Sequence, residues 1–373
     1  MTTPRRSRPA VPPVVLASAF LFDDTESFAR TAAAKDDHLY SRWSNPTVCA
    51  VEEVVAELEG AERALACGSG MAAMSLALLA ALPPGGTLLT QRELYGGTHE
   101  LIEKLLPGWG YTIKRASMDE LVAAAAALAP GSVIHLEIPS NPSLRVADLP
   151  AIRAAAPAGT PIVVDATFAT PINLRPLAHG ATLSAHSATK YMGGHHDLLA
   201  GVISGGGALM DRVWTLRTLL GPVLDPAAAY RLWRGLETLE LRVVRQCETA
   251  ETLAQRLAEH PAVAKTHHPC LPDHPDFSLA KELLRSGGAV LSFEMAGGYD
   301  AAAKVADQLE IFAQGPSLGG VRSLVSWPAG VSHRAMSEAE RQAAGVSGGL
   351  LRLAVGVEPL ESLWNDLRQA LES

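Results

Sequence analysis

One lysine, Lys190, stands in Ala185-His186-Ser187-Ala188-Thr189-Lys190-Tyr191-Met192-Gly193-Gly194-His195, behind two hydroxyl side chains and ahead of a Gly-Gly turn. Desolvating an ammonium is costly, and a lysine held away from water gives up its proton more readily and becomes a nucleophile towards carbonyls. Upstream, Pro161-Ile162-Val163-Val164-Asp165-Ala166-Thr167-Phe168 is an apolar, β-branched run that ends in an acid. It reads as a strand buried on both faces of a parallel sheet, and the carboxyl ends of such strands are where open α/β sheets bind ligands. A third charge, Arg352, interrupts the apolar run Leu350 to Val357, where a guanidinium demands an anionic partner.

A buried acid near a nucleophilic lysine suits pyridoxal 5'-phosphate. The lysine forms a Schiff base with the coenzyme, and Asp165 keeps the pyridine nitrogen protonated so that the ring acts as an electron sink. Ala64 to Ala73 adds a short strand, a glycine turn and a helix start, whose first N–H groups bind anions while the glycines let a phosphate approach. The same stretch also fits G-x-G-x-x-A, a dinucleotide fingerprint that wants an acid about 20 residues further on. Glu93 is roughly placed for that but sits in a turn past the strand Thr87 to Thr90. Ser187-Ala188-Thr189-Lys190 satisfies S-x-x-K, although the S-D-N and K-T-G companions of penicillin-binding enzymes are absent. An NAD-binding dehydrogenase and a non-catalytic binding protein on the same fold therefore stand as alternatives.

From about Tyr40 to nearly the last residue, the motifs occur in the order found in the Cys/Met-metabolism family of pyridoxal-phosphate enzymes. The chain resembles its cystathionine γ-synthase, cystathionine γ-lyase and methionine γ-lyase group. The resemblance implies an α/β, fold-type I transferase with a mostly parallel central sheet in a large domain and a smaller C-terminal α/β domain. It implies that Lys190 carries the coenzyme and acts as general base, that Asp165 faces the pyridine nitrogen, and that Tyr95 stacks on the ring and helps expel the leaving group. Ser69, Gly70 and Met71 would contact the phosphate, with Ser187 and Thr189 adding hydrogen bonds around Lys190. Tyr40 and Arg42 would cross to the neighbouring subunit's phosphate, so the active sites would be shared in a homodimer, with a homotetramer expected. Asn141 would approach the ring hydroxyl and the substrate carboxylate, Ser317 would line the substrate pocket, and Arg352 would clamp the α-carboxylate.

Several positions depart from the family pattern. Gly68 stands where a hydroxyl residue is commoner, Ala166 where asparagine is common, Pro316 where glutamate or valine is frequent, and Arg322 where an acid or threonine is usual. Leu94-Tyr95-Gly96-Gly97-Thr98 lacks the cysteine typical of methionine γ-lyases. The expected activity is β/γ-elimination, a cystathionine γ-lyase-like C–S lyase acting on a sulfur-containing or homoserine-derived L-amino acid. Its alternative is γ-replacement of the cystathionine γ-synthase or O-acylhomoserine sulfhydrylase type.

The elements that must position these groups alternate along the chain. A helix from about Val48 to Leu58 has Val51, Val54, Val55 and Leu58 on one face. Strands and helices then follow in turn, and a long helix from Asp225 to about His260 leads from one domain to the next. The expected divisions are an arm over 1–45, a coenzyme-binding domain over 46–240 and a C-terminal substrate domain over 241–373. With 373 residues the chain is long enough for a large core, and 48% hydrophobic and 19% charged residues mark it as globular. A net charge of −8 gives no basic surface for nucleic acid or an anionic membrane. Arg5, Arg6 and Arg8 precede an apolar stretch too short for a signal peptide, no run approaches the ~18 apolar residues of a span, and a cytoplasmic location is expected. The four cysteines lack CxxC spacing. His195-His196-Asp197 and the His267-to-His274 cluster read as structural polarity, so no metal is expected.

Overall fold

The computed structural model describes residues 9–34, 37–331 and 347–373, so the arm's first eight residues, Arg5, Arg6 and Arg8 among them, lie outside it. Seven short strands build the larger sheet: β1 Arg63–Cys67, β2 Thr87–Gln91, β3 Thr112–Ala116, β4 Val133–Glu137, β5 Ile162–Asp165, β6 Leu183–His186 and β7 Gly201–Gly205. Their spatial order is β1-β7-β6-β5-β4-β2-β3. Every pair from β6 through β5, β4 and β2 to β3 is parallel, and β7 runs antiparallel to both of its neighbours. β4 is buried throughout, as expected of a central strand covered by helices on both faces.

The second sheet has five strands: β8 Val263–His267, β9 Val290–Met295, β10 Ala313–Gln314, β11 Leu324–Ser326 and β12 Leu350–Ala354, in the order β10-β11-β12-β9-β8. Its core of Leu291, Phe293, Phe312, Leu351 and Leu353 is separate from the cores that flank the larger sheet. The final helix, Leu360–Glu372, closes this core with Leu363 and Leu367.

The long helix expected from Asp225 is two helices, Pro226–Leu236 and Leu239–Ala258. The guanidinium of Arg242 donates to the carbonyls of Gly235 and Tyr191, both at 2.7 Å, and Gly235 lies against the backbone of Met192 and Gly193. A side chain thus takes a carbonyl at the end of the first helix, and the helix is interrupted at Glu237 and Thr238. The second helix runs across the expected 240/241 division. The arm carries an unexpected helix, Thr25–Ala34, started by Asp24 Oδ1, which accepts from the Ser27 N–H at 2.7 Å.

Candidate active site

The carboxyl ends of β1, β2, β4, β5 and β6 converge on one cavity of about 220 Å³. It is lined by Ser69, Gly70, Met71, Tyr95, Asn141, Asp165, Ser187, Thr189, Lys190 and Arg352. Ten of the residues picked from sequence, drawn from six separate segments, thus meet at one place. Ser317 joins them by accepting a hydrogen bond at 3.0 Å from Lys190 Nζ. Tyr40 and Arg42 do not line this cavity. Both are exposed, and Arg42 Nη1 donates to the Thr218 carbonyl at 2.6 Å, against the helix Gly207–Leu220.

Each group is tuned by its surroundings. Burial, with the Arg352 guanidinium second, pulls the Lys190 amine below its ordinary pKa, which favours the free base. Burial raises the Asp165 carboxyl, opposed by hydrogen bonds from Thr167. Asp165 Oδ1 accepts from the Thr167 N–H at 2.9 Å and its hydroxyl at 2.5 Å. Thr167 Oγ1 in turn accepts from the Ser187 N–H at 2.8 Å, so the acid and the loop leading to Lys190 are joined through one hydroxyl.

Ser69 lines the cavity and caps the helix Gly70–Ala81 by accepting from the Ala72 N–H at 3.1 Å. The first amides of a helix have no carbonyl partner within it and form a ready anion site. Glycine is required at position 70, since a Cβ there would sit 2.6 Å from the Cβ and Oγ of Ser187. Thr189 lines the cavity, but its hydroxyl exchanges hydrogen bonds with the backbone of Ala200, donating at 3.2 Å and accepting at 3.0 Å.

Arg352, on β12 of the smaller sheet, is 8% exposed and donates through Nη1 to Asn141 Oδ1 at 2.9 Å. Its Nε is buried without a partner, and no carboxylate among the described residues pairs with it. A buried guanidinium left this way is a site for an external anion. The Thr98 hydroxyl is likewise buried, unpartnered and on the cavity wall. A lysine, a buried acid, an anion-binding helix start and a spare guanidinium around one cavity match the donor set pyridoxal phosphate and an amino acid require. The coenzyme fits.

Sequence reasoning passed over Glu137, Thr167, Phe168 and Leu318, all on the cavity wall. Glu137 ends its apolar strand as Asp165 ends the next, and the two stand in register across β4 and β5. That shared pattern was the available signal. Glu93, the acid weighed for a dinucleotide ribose, instead accepts from Ser140 at 2.9 Å and from Ser143. Among the described residues no group of three or more His, Cys, Asp or Glu side chains could hold a metal ion, and no helix is long and apolar enough to cross a membrane.

The sequence pattern of the family described as Cys/Met metabolism PLP-dependent enzyme matches residues 2–372. L-methionine gamma-lyase of Pseudomonas deceptionensis is 38% identical over 369 residues, covering 97% of this chain and 92% of the relative. The solved structure of cystathionine gamma synthase from Xanthomonas oryzae pv. oryzae in complex with cystathionine is similar with a TM-score of 0.91 and 38% identity, over 97% of this chain and 92% of that one. That of cystathionine gamma-lyase from Lactobacillus plantarum complexed with L-serine gives 0.90 and 34%, over 97% and 93%.

Proposed function

The chain belongs to the Cys/Met metabolism family of pyridoxal-phosphate-dependent enzymes, and from that premise we propose a division of labour among its cavity residues in elimination at Cβ or Cγ of an L-amino acid. The enzyme uses pyridoxal 5'-phosphate and acts on a small-molecule amino acid, as a C–S lyase or in γ-replacement. The observation that carries the residue assignment is Arg352, a buried guanidinium whose Nε has no partner, in a residue that lines the same cavity as Lys190 and Asp165.

In this reading Lys190 holds the coenzyme, Asp165 its ring nitrogen, and Ser69, Gly70, Met71 and Ser187 its phosphate. Bound there, pyridoxal phosphate supplies an electron-poor ring that accepts the electron pair left when a bond to the substrate's α-carbon breaks. Arg352 and Asn141 bind the substrate carboxylate and so fix which α-carbon bond faces Lys190. Lys190 Nζ, favoured as free base by burial, takes the α-proton and can return a proton to a neighbouring carbon. Tyr95 Oη protonates the departing sulfur or oxygen. Met71, Phe168 and Leu318 keep water from the reacting atoms.

Tyr40 and Arg42 serve the cavity of a second copy, so the working unit is a dimer with shared sites, assembled further into a tetramer, in the cytoplasm. Arg42 lies at the surface of its own protomer and has a guanidinium suited to bidentate phosphate contact. The residues 1–45, 46–240 and 241–373 act as arm, coenzyme-binding unit and substrate-binding unit.

A sulfur-containing substrate is favoured by the apolar wall of Met71, Met74, Phe168, Leu199 and Leu318. Replacement with a thiol stays a second reading because cystathionine gamma synthases are as similar to this chain as the lyases are. Incubation with cystathionine, methionine and O-acylated homoserines, with and without cysteine, separates the two. A 2-oxo acid and ammonia from the first two substrates supports elimination. Thioether formation that outpaces 2-oxo acid supports replacement, and no turnover of any of them refutes the substrate class.

A further inference from the structure

Glu137 is an acid at the buried end of an apolar strand, 4% exposed and in register with a second acid, Asp165, and burial with that neighbour pushes its carboxyl well above the usual carboxylate range. Placing two carboxylates side by side away from water is unfavourable, and an apolar residue would fill the position at lower cost. Both oxygens of Glu137 are spent on one group. Oε1 and Oε2 accept from the backbone N–H of Tyr95 at 2.8 and 2.9 Å.

Tyr95 needs such an anchor. The residue is 51% exposed, and the hydrogen bonds that hold it run through its backbone, where its carbonyl accepts from the His99 N–H at 2.9 Å. The ring lies over Gly97, where a Cβ would come within 2.7 Å of Tyr95 Cε1. The loop carrying it runs from β2 over Glu93, whose carboxylate is occupied by Ser140 and Ser143 and cannot take over the Tyr95 amide. The strand that supplies Glu137 is itself fixed, since the Glu137 N–H donates to Gln91 Oε1 at 3.0 Å. One carboxylate therefore sets the height of the Tyr95 loop relative to the sheet end that carries Asp165.

We infer that Glu137 is a positioning residue for Tyr95: its carboxyl group holds the Tyr95 amide, and thereby the phenol, where a leaving group must be protonated. This rests on the leaving-group role given to Tyr95. It gives Glu137, on the cavity wall, a role that acts through Tyr95, and it explains why the sheet end bearing Asp165 carries a second acid on the neighbouring strand.

The test uses the holoenzyme with Glu137→Leu, Glu137→Gln and Tyr95→Phe. Exchange of the Tyr95 amide hydrogen is read by fragmentation mass spectrometry, and kcat and KM for elimination are read separately. Leaving the Tyr95 N–H without its acceptor corresponds to about 5- to 100-fold. Glu137→Leu should speed exchange of the Tyr95 amide and lower kcat by about that factor with KM little changed. Glu137→Gln, which keeps an acceptor oxygen, should hold both within about threefold of wild type. Retained amide protection in Glu137→Leu overturns the inference, as does full kcat in that variant while Tyr95→Phe is crippled. Should Tyr95→Phe keep full kcat, the role of Tyr95 falls instead, and amide exchange alone decides the anchor. If Glu137→Leu does not fold, Glu137→Gln decides, since loss of Tyr95 amide protection there overturns the anchor and its retention supports it.

Discussion

Arg352 on the smaller sheet donates to Asn141 at the exit of the larger one, at 2.9 Å and across 211 residues of sequence. The contact joins the two sheets at the cavity and leaves the rest of the guanidinium for an anion. The Phe168 ring faces it, with 6.0 Å between the ring centroid and the guanidinium carbon.

Removing that cation should therefore act on substrate binding. Arg352→Ala is expected to raise KM by about 10- to 100-fold, the value of a lost charged hydrogen bond. Arg352→Lys should recover only part of this, because an ammonium cannot reproduce the planar fork. Steady-state kinetics on a substrate that the wild-type enzyme turns over measures both.

Lys190→Ala should abolish covalent capture of the coenzyme and lower kcat by about 10²- to 10⁴-fold, the usual contribution of a positioned base. Borohydride reduction followed by peptide mass mapping should place the added mass on Lys190 in the wild type and nowhere in the variant. Parental turnover by Lys190→Ala would remove the basis of the assignment.

Because Arg42 lies outside its own cavity, mixing two impaired variants tests the shared site. Arg42→Ala and Lys190→Ala, unfolded together and refolded, would form hybrids with one site carrying both wild-type residues. Recovery to about a quarter of the wild-type sites is expected from random pairing in a two-fold dimer. No recovery would mean that Arg42 serves its own subunit or none.

Gly70→Ala places a methyl group against Ser187 at 2.6 Å, a contact that has to be relieved by movement of the Ser69 turn or of the segment before Lys190. Overpacking of this kind costs about 1–3 kcal/mol. A lowered Tm together with weaker coenzyme retention on dialysis is expected, and unchanged retention would argue against the helix start as the phosphate site.

Acid should destabilise the fold through two buried imidazoles. Burial holds His135 down at about 3 and His268 at about 4, against 6.5 when unfolded. A depressed folded pKa means that the stabilisation is complete above pH 6.5, where both states are neutral. It is lost as pH falls towards those values, because the unfolded chain takes up protons first. The loss through His135 alone is on the order of a few kcal/mol. Urea midpoints from pH 7 to pH 4 should fall steeply in the wild type and less steeply in His135→Leu. Equal slopes would contradict it.

The sequence alone determined Lys190, Asp165 and Arg352 as site candidates. A charge inside or at the end of an apolar run signals burial without any knowledge of the fold, since pattern and desolvation are local properties. Tertiary structure decided which of these groups meet. Asn141 and Arg352 come together only because the smaller sheet seats β12 against the exit of β4, and Glu137 faces Tyr95 only because β2 pairs with β4. The break at Glu237 and Thr238 was hidden for the same reason, since the group that claims the Gly235 carbonyl arrives from the next helix and no local periodicity records it. Strand order and side chains from distant segments are pairings between remote parts of the chain. They are fixed by which buried surfaces and hydrogen-bonding groups can be satisfied together, and only the folded chain settles that.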